Sequence, residues 1–156
     1  MTARLLGCAV ALLLGAGTAR AQDEPVGFEG GLEAMLATAR STLFAGGPAV
    51  AWRPGERVRV GLAVLPGVGD GDAVMRGELT LHFMLSPARR HGVGVYGIGG
   101  LAGVAGDGNA GYLMLGAGME SSPGGASGWQ LEAGVGGGFR LALGWRRRWV
   151  SLGPRS

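Results

Sequence analysis

The last segment of the chain, Phe139–Val150, constrains the fold most, because hydrophobic residues occupy alternate positions along it. The hydrophobic positions are Phe139, Leu141, Leu143, Trp145 and Trp149. The residues between them are arginine, alanine or glycine, and this period of two indicates a β-strand with two unlike faces. The segment also has about the 9–11 residues with which a tilted strand crosses the hydrocarbon core of a bilayer. It is therefore predicted to be a transmembrane strand.

The first 21 residues have the features of a secretory signal peptide. Arg4 supplies the positive charge, residues 5–17 are apolar but too few to span a bilayer as a helix, and Ala19-Arg20-Ala21 matches an A-x-A cleavage site. A retained membrane anchor is the weaker alternative. We predict that residues 1–21 are removed and that residues 22–156 form one exported domain.

Composition excludes several classes of protein. Cys8 is the only cysteine and lies in the signal peptide, so the exported domain has no disulfide and no cysteine metal site. The basic residues are all arginines, spread along the chain without interleaved stacking aromatics, which argues against a nucleic-acid partner. The 34 glycines follow no collagen period and alternate with hydrophobic residues, which make up 47% of the chain, so a solvated linker is also excluded.

Alternation divides the exported domain into eight strand-like segments separated by short turns rich in glycine and proline. The segments span residues 26–38, 43–53, 57–65, 74–85, 92–105, 111–121, 129–135 and 139–150. Residues 66–72, which contain Pro66 and three glycines, are predicted to form a loop. A helix is the main alternative for residues 32–40, which are rich in Ala, Leu and Met. The fifth and sixth segments carry apolar residues on both faces, so their orientation stays open.

Three features favour a membrane barrel over a soluble sandwich. The less apolar faces consist of glycine and alanine with single charges, which suits the narrow interior of an eight-stranded barrel. The connections are short, as an up-and-down meander requires. Aromatic residues lie near segment ends, where membrane interfaces place them; these are Phe28, Phe44, Trp52, Trp129, Trp145 and Trp149. We predict an all-β fold, an eight-stranded antiparallel up-and-down transmembrane β-barrel with both termini on the periplasmic side.

The predicted inward faces carry charges of both signs, which we expect to form ion pairs in the lumen. An arginine that faced lipid near the bilayer centre would cost roughly 2–4 kcal/mol, and inward placement avoids this cost. Arg147 is the one exception in the last segment, and its long side chain can reach the interface from the strand end. The predicted lumen network comprises Glu29, Glu33, Arg59, Arg76, Glu78, His82, Glu132 and Arg140.

With these features the chain resembles the small outer-membrane barrels of the OmpA and OmpX type. The resemblance rests on the signal peptide, the eight alternating segments and the closing Phe139-Arg140-Leu141-Ala142-Leu143-Gly144-Trp145. It implies an integral outer-membrane protein of a Gram-negative-type bacterium, a monomer whose partners are outer-membrane lipid and, during biogenesis, the barrel-assembly machinery. In such barrels that machinery recognises a final aromatic residue; here Trp149 would take this role, although residues 150–156 follow it.

The chain offers little that would support catalysis. A Ser–His–acid site would have to use His82 with Ser86, but Ser86 lies in a turn and no serine has a nucleophile-elbow sequence. His91 lies in a charged turn. We therefore expect no enzymatic activity and no cofactor or metal, and a structural or surface-interaction role with a lumen filled by side chains. The alternatives are a soluble periplasmic barrel or sandwich that binds a small apolar ligand, and a glycine-rich secreted protein that forms cross-β fibres.

Overall fold

The computed structural model describes residues 27–87, 91–106 and 108–150, and the predicted signal peptide lies outside them. Every regular element in these residues is a β-strand. The strands are β1 Gly27–Thr38, β2 Thr42–Arg53, β3 Val58–Gly69, β4 Asp72–Met84, β5 Val93–Ala105, β6 Ala110–Ser121, β7 Ser127–Val135 and β8 Phe139–Val150. The all-β prediction is confirmed, and the helical alternative for residues 32–40 is wrong because β1 continues to Thr38.

The eight strands form a closed barrel in which each strand pairs antiparallel with the next. Closure is made by β1 and β8, with Phe28 opposite Trp149 and Thr38 opposite Phe139. Closure leaves no strand edge with unpaired backbone groups, which is the condition for a sheet to survive in hydrocarbon. β1 begins and β8 ends at the same end of the barrel, which we call the termini end. The opposite end is called the turn end. No helix in the described part of the chain is long and apolar enough to cross a membrane.

Side chains alternate between the outer and inner walls along each strand, and large hydrophobic residues dominate the outer wall. Twenty-seven large hydrophobic side chains of the described residues are at least 39% exposed, and Leu113 reaches 78%. The orientation of β5 and β6, which the alternation left open, is now assigned. Tyr96 and Ile98 on β5 and Met114 on β6 are buried inside, so hydrophobic residues do occupy both faces of these two strands.

The predicted loop at residues 66–72 is wrong, because β3 continues to Gly69 and β4 begins at Asp72. Asp70 and Gly71 alone form the turn, with φ of 52° and 99°, as a two-residue hairpin turn with positive φ at both positions requires. Pro66 is tolerated within β3 because the pairing of β2 with β3 has no partners between Ala45–Gly67 and Ala49–Ala63. A proline, which has no backbone N–H, fits such a gap in the ladder.

Candidate functional site

The inner wall carries an extensive set of charged side chains in two groups. The mouth cluster lies toward the termini end and the central cluster lies deeper in the barrel. The mouth cluster consists of Glu29, Arg53, Arg59, Glu120, Arg146 and Arg148, and the central cluster of Glu33, Arg76, Glu78, Glu132 and Arg140. Burying a charge is costly unless it is paired and hydrogen-bonded, so the geometry of these pairs determines how far the interior supports the fold.

The central cluster is organised by Arg140, whose guanidinium contacts three carboxylates. Its Nη1 donates to Glu132 Oε2 at 2.8 Å, and its Nη2 donates to Glu78 Oε2 at 2.8 Å and to Glu33 Oε1 at 2.5 Å. The four residues come from β8, β7, β4 and β1. Because β4 and β8 lie on opposite sides of an eight-stranded barrel, the Arg140–Glu78 pair crosses the interior.

Arg76 extends the central cluster toward the turn end. Its Nε donates to Glu78 Oε1 at 2.6 Å, and its Nη2 donates to the carbonyl oxygen of Gly136 at 3.0 Å. Gly136 begins the turn between β7 and β8. One guanidinium therefore connects the charged interior to the backbone of a hairpin turn, and the side chain is only 1% exposed.

The mouth cluster has the opposite balance, with four arginines around two glutamates. Glu29 Oε1 lies 2.8 Å from Nε of both Arg53 and Arg148 and 3.4 Å from Arg146 Nη1. Its Oε2 lies 3.4 Å from Arg59 Nη1. Oε1 accepts hydrogen bonds from Arg146 and Arg148, and Oε2 accepts one from Arg59, so Glu29 is the shared counter-ion of this cluster.

Glu120 is the second carboxylate of the mouth cluster and is fully buried. Its Oε2 accepts from Arg59 at 2.8 Å and from Arg146 at 3.0 Å, and its Oε1 accepts from Arg53 at 3.2 Å. Glu120 lies on β6, and Arg53 lies on the opposite strand β2. This pair also crosses the barrel interior.

Backbone carbonyls of the β6–β7 loop, residues 122–126, supply further acceptors to the mouth cluster. The Pro123 carbonyl accepts from Arg148 at 2.6 Å, and the Ser122 carbonyl accepts from Arg146 at 3.2 Å. Pro123 is buried, and a Cβ added to Gly94 would lie 2.3 Å from its Cγ. The loop therefore packs against the inner wall at the termini end, and only a glycine fits beneath it.

His82 and Tyr96 lie between the two clusters. The rings stack with centroids 5.1 Å apart, and the Arg59 guanidinium lies 5.0 Å from the Tyr96 centroid. Arg59 Nε donates to His82 Nδ1 at 2.8 Å, and the Tyr96 hydroxyl donates to Glu132 Oε1 at 2.9 Å. One aromatic pair thus contacts an arginine of the mouth cluster and a glutamate of the central cluster.

The structure places all eight residues of the predicted lumen network on the inner wall, each at most 8% exposed. The hydrogen-bond partner of His82 is Arg59, which lies opposite it in the β3–β4 register. The lumen network also contains five residues that were not predicted: Arg53, Tyr96, Glu120, Arg146 and Arg148. On β2 and β8 the alternation of side chains indicates that these positions face inward. On β5 and β6 the alternation gives no such clear indication.

The arginine run at the end of β8 divides between the two walls. Arg147 is exposed, as the alternation predicts, whereas Arg146 is 4% exposed and pairs with both glutamates of the mouth cluster. Neighbouring members of this arginine run therefore face opposite walls of the barrel.

The six predicted interface aromatics all lie on the outer wall and are between 42% and 63% exposed. Phe28 is the register partner of Trp52 on one side and of Trp149 on the other, so three aromatics adjoin near the termini end. Trp129 and Trp145 are partners on β7 and β8, and Phe44 lies near the turn end of β2.

No protein-family model and no curated protein matches the chain. Solved structures do match. The crystal structure of the N-terminal β-barrel domain of Pseudomonas aeruginosa OprF is similar at 16% identity and a TM-score of 0.58, covering 82% of this chain and 100% of that one.

Two designed proteins are similar as well. The solution NMR structure of de novo designed TMB2.3 has 18% identity and a TM-score of 0.52, covering 86% of this chain and all of its own. A structure from the de novo design of transmembrane β-barrels has 13% identity and a TM-score of 0.52, covering 83% of this chain and all of its own. The fold is therefore that of the eight-stranded membrane β-barrels, and the resemblance to the small OmpA and OmpX type is confirmed at the level of the fold.

Proposed function

We propose that this chain is an integral protein of the bacterial outer membrane, a monomer with a structural or surface-interaction role whose lumen is filled by side chains. The observation that carries the proposal is the inverted distribution of polarity, with hydrophobic residues on the outer wall and ion pairs inside. Monomeric soluble proteins rarely expose a contiguous apolar patch larger than a few hundred Å². A wall of exposed leucine, valine, phenylalanine and tryptophan around the whole barrel is suited to lipid tails.

The contacts across the interior support a filled lumen. Arg140 reaches Glu78 from the opposite strand, and Arg53 reaches Glu120 in the same way. Barrels of eight strands have an interior just wide enough for side chains to fill. An ion crossing this barrel would have to separate several of these pairs, so we expect no steady open pore.

The connections at the turn end favour a structural role over a large binding surface. The β1–β2, β3–β4 and β7–β8 turns contain only residues 39–41, 70–71 and 136–138. The even number of strands places both termini on one side of the membrane. If that side is the periplasmic one, as we propose, these turns face outward. Such short turns present little area to a partner, so outer-membrane lipid and, during biogenesis, the barrel-assembly machinery are the partners we propose.

The proposal includes no catalysis and no cofactor. His82 is held between Arg59 and Tyr96 inside the barrel, whereas Ser86 lies beyond the last residue of β4. A nucleophile and its base must lie within hydrogen-bond reach of each other. The positions of His82 and Ser86 do not favour such a contact. The alternative of a soluble barrel with an apolar ligand is disfavoured by an interior that holds charged glutamates and arginines.

Fractionation and gel mobility test the proposal directly. We expect the full chain, expressed in a Gram-negative host, in detergent extracts of the outer membrane and absent from the osmotic-shock fluid. The protein refolded in micelles should migrate differently before and after boiling, because an intact barrel resists unfolding by the detergent. Recovery in the shock fluid would support the soluble alternative, and steady large conductance in planar bilayers would contradict a filled lumen.

A substitution on the outer wall tests contact with lipid. Leu79 is 46% exposed in the middle of β4, between Leu62 and Leu101 in the register. We expect Leu79→Arg to lower the free energy of unfolding in lipid vesicles by roughly 2–4 kcal/mol, whereas Leu85→Arg beyond the strand end costs about 0–1 kcal/mol. Two equally small effects would mean that the outer wall faces water.

A further inference from the structure

Among the residues that the structure describes, two buried side-chain nitrogens have no hydrogen-bond partner. Nε of Arg53 lies 2.8 Å from the Glu29 carboxylate and so still contacts a counter-ion, whereas Nε2 of His82, whose residue is 5% exposed, has no such close contact. The nearest carboxylate oxygen, Glu132 Oε1, lies 3.9 Å away, which is beyond direct hydrogen-bond distance. Buried polar groups are nearly always paired with protein or with ordered water, so this atom indicates a ligand position.

The contacts of the other ring nitrogen, Nδ1, show that Nε2 carries the ring proton. Arg59 Nε lies 2.8 Å from His82 Nδ1, and the Nη2 of the same guanidinium also contacts it. A guanidinium only donates hydrogen bonds, so Nδ1 must present its lone pair. A neutral imidazole has one proton, and it must then be on Nε2. The unpartnered atom is therefore a donor and needs an acceptor.

A cavity of about 40 Å³ lies beside this ring in the barrel interior. Its wall includes Thr80, His82, Gln130 and Glu132 among other polar residues. A polar cavity needs about 10–15 Å³ of such volume to hold one water, so there is room for one to about three. The site combines a buried donor and a nearby carboxylate acceptor, and both residues line the same cavity.

We propose that this cavity binds water, and that one water accepts from Nε2–H of His82 and donates to Oε1 of Glu132. A metal ion does not suit the site, because it would need the lone pair of a nitrogen that here carries a proton. The cavity wall contains four glutamates and three arginines, so its charge does not favour an anion; they are Glu29, Glu33, Glu78, Glu132, Arg59, Arg140 and Arg146. A small neutral molecule that both donates and accepts fits both groups.

The bound water would join the two charged clusters. Arg59 of the mouth cluster donates to His82, and Glu132 of the central cluster accepts from Arg140 and Tyr96. With water between His82 and Glu132, hydrogen bonds would run without a break from Gly136 near the turn end to Pro123 near the termini end. His82 would then be a positioning residue for the whole interior.

The experiment is NMR spectroscopy of the full chain in detergent micelles, with ¹⁵N in the histidine side chains. The chain has only two histidines, so a His91→Gln variant assigns both rings, and exposed His91 serves as the internal reference. We expect the His82 ring to show the neutral tautomer protonated at Nε2. We also expect a rotating-frame cross-peak between its Hε2 and the water resonance.

Filling the cavity provides the matched variant. Ala51 is part of the cavity wall on the inner face of β2. The Ala51→Leu variant should lose the water cross-peak but keep the heat-modifiable gel shift. If the leucine side chain prevents folding, the smaller Ala51→Val variant is used instead. An imidazolium, a proton on Nδ1, a missing water cross-peak, or a cross-peak that survives the filled cavity would each overturn the proposal.

Discussion

The mouth and central clusters differ in which charge is in excess. Four arginines share two glutamates in the mouth cluster, whereas three glutamates share two arginines in the central cluster. In each cluster the minority ion makes the most contacts: Glu29 in the first and Arg140 in the second. The difference indicates that removing a minority ion is costly, and that removing a majority ion is cheap.

The largest effect is expected for Arg140→Met. Without this guanidinium, the Glu33, Glu78 and Glu132 carboxylates would be buried close together with Arg76 as their remaining cation. Breaking a buried pair by removing one partner costs about 3–5 kcal/mol, and we expect the upper end here because three carboxylates are involved. Urea titration in lipid vesicles, followed by tryptophan fluorescence, measures the free energy of unfolding.

The matched control for this variant is Arg147→Met on the same strand. Arg147 is exposed on the outer wall, so its replacement should leave stability unchanged within about 0.5 kcal/mol or raise it slightly. Equal losses for the two arginines would contradict the central role of Arg140.

The next largest effect is expected for Glu29→Gln in the mouth cluster. The amide keeps the size of the side chain but removes the charge that lies within 3.4 Å of four guanidinium groups. We expect a loss of about 3 kcal/mol, the low end for a broken buried pair, because the cluster lies closer to the barrel mouth. The same urea titration measures this loss. A loss no larger than that of the exposed Arg147→Met variant would show that Glu120 alone balances the charge of the four arginines.

The architecture was predictable from the sequence because side-chain alternation has a direct physical cause. In β1, β4 and β8, large hydrophobics alternate with small or charged residues, and this parity separates the two walls. It fails where the interior itself is hydrophobic. Tyr96 and Ile98 on β5 are buried in the barrel interior, so both faces of this strand carry hydrophobic residues. The difference in polarity that would show which face points inward is therefore absent.

The pairing within the interior was less predictable than the walls. Parity says that a residue points inward, but the partner across the barrel depends on the stagger of strands that are distant in sequence. Arg140 meets Glu78 from the opposite strand, and His82 meets Arg59 through the β3–β4 register. The misassigned loop at residues 66–72 has a similar cause, because Pro66 fits a gap in the β2–β3 ladder that only the closed barrel defines.

A small effect is expected for Glu33→Gln in the central cluster. Glu33 is a majority ion whose one ion pair among the described residues is with Arg140. The amide oxygen can still accept from that guanidinium, and the change lowers the repulsion among three carboxylates. We expect a loss of at most about 1 kcal/mol, comparable to one ordinary hydrogen bond. A loss as large as that of Glu29→Gln in the same titration would show that charge balance does not govern the two clusters.

The smallest effect is expected for Arg148→Met, which removes a majority ion from the mouth cluster. Its side chain is 12% exposed, more than any other arginine of the cluster, and its contacts are to Glu29 and the Pro123 carbonyl. The loss should stay below about 1 kcal/mol, the range for pairs that solvent reaches.

The decisive comparison is the double variant Arg148→Met with Glu29→Gln. After Glu29→Gln, four arginines share one carboxylate, so removing Arg148 should relieve repulsion and restore part of the lost stability. We expect a coupling free energy of about 0.5–3 kcal/mol in the double-mutant cycle, as found for residues in one ion-pair network. Strictly additive losses would instead mean that Arg148 acts by packing alone, since a side chain that only fills space has no reason to become dispensable when Glu29 loses its charge.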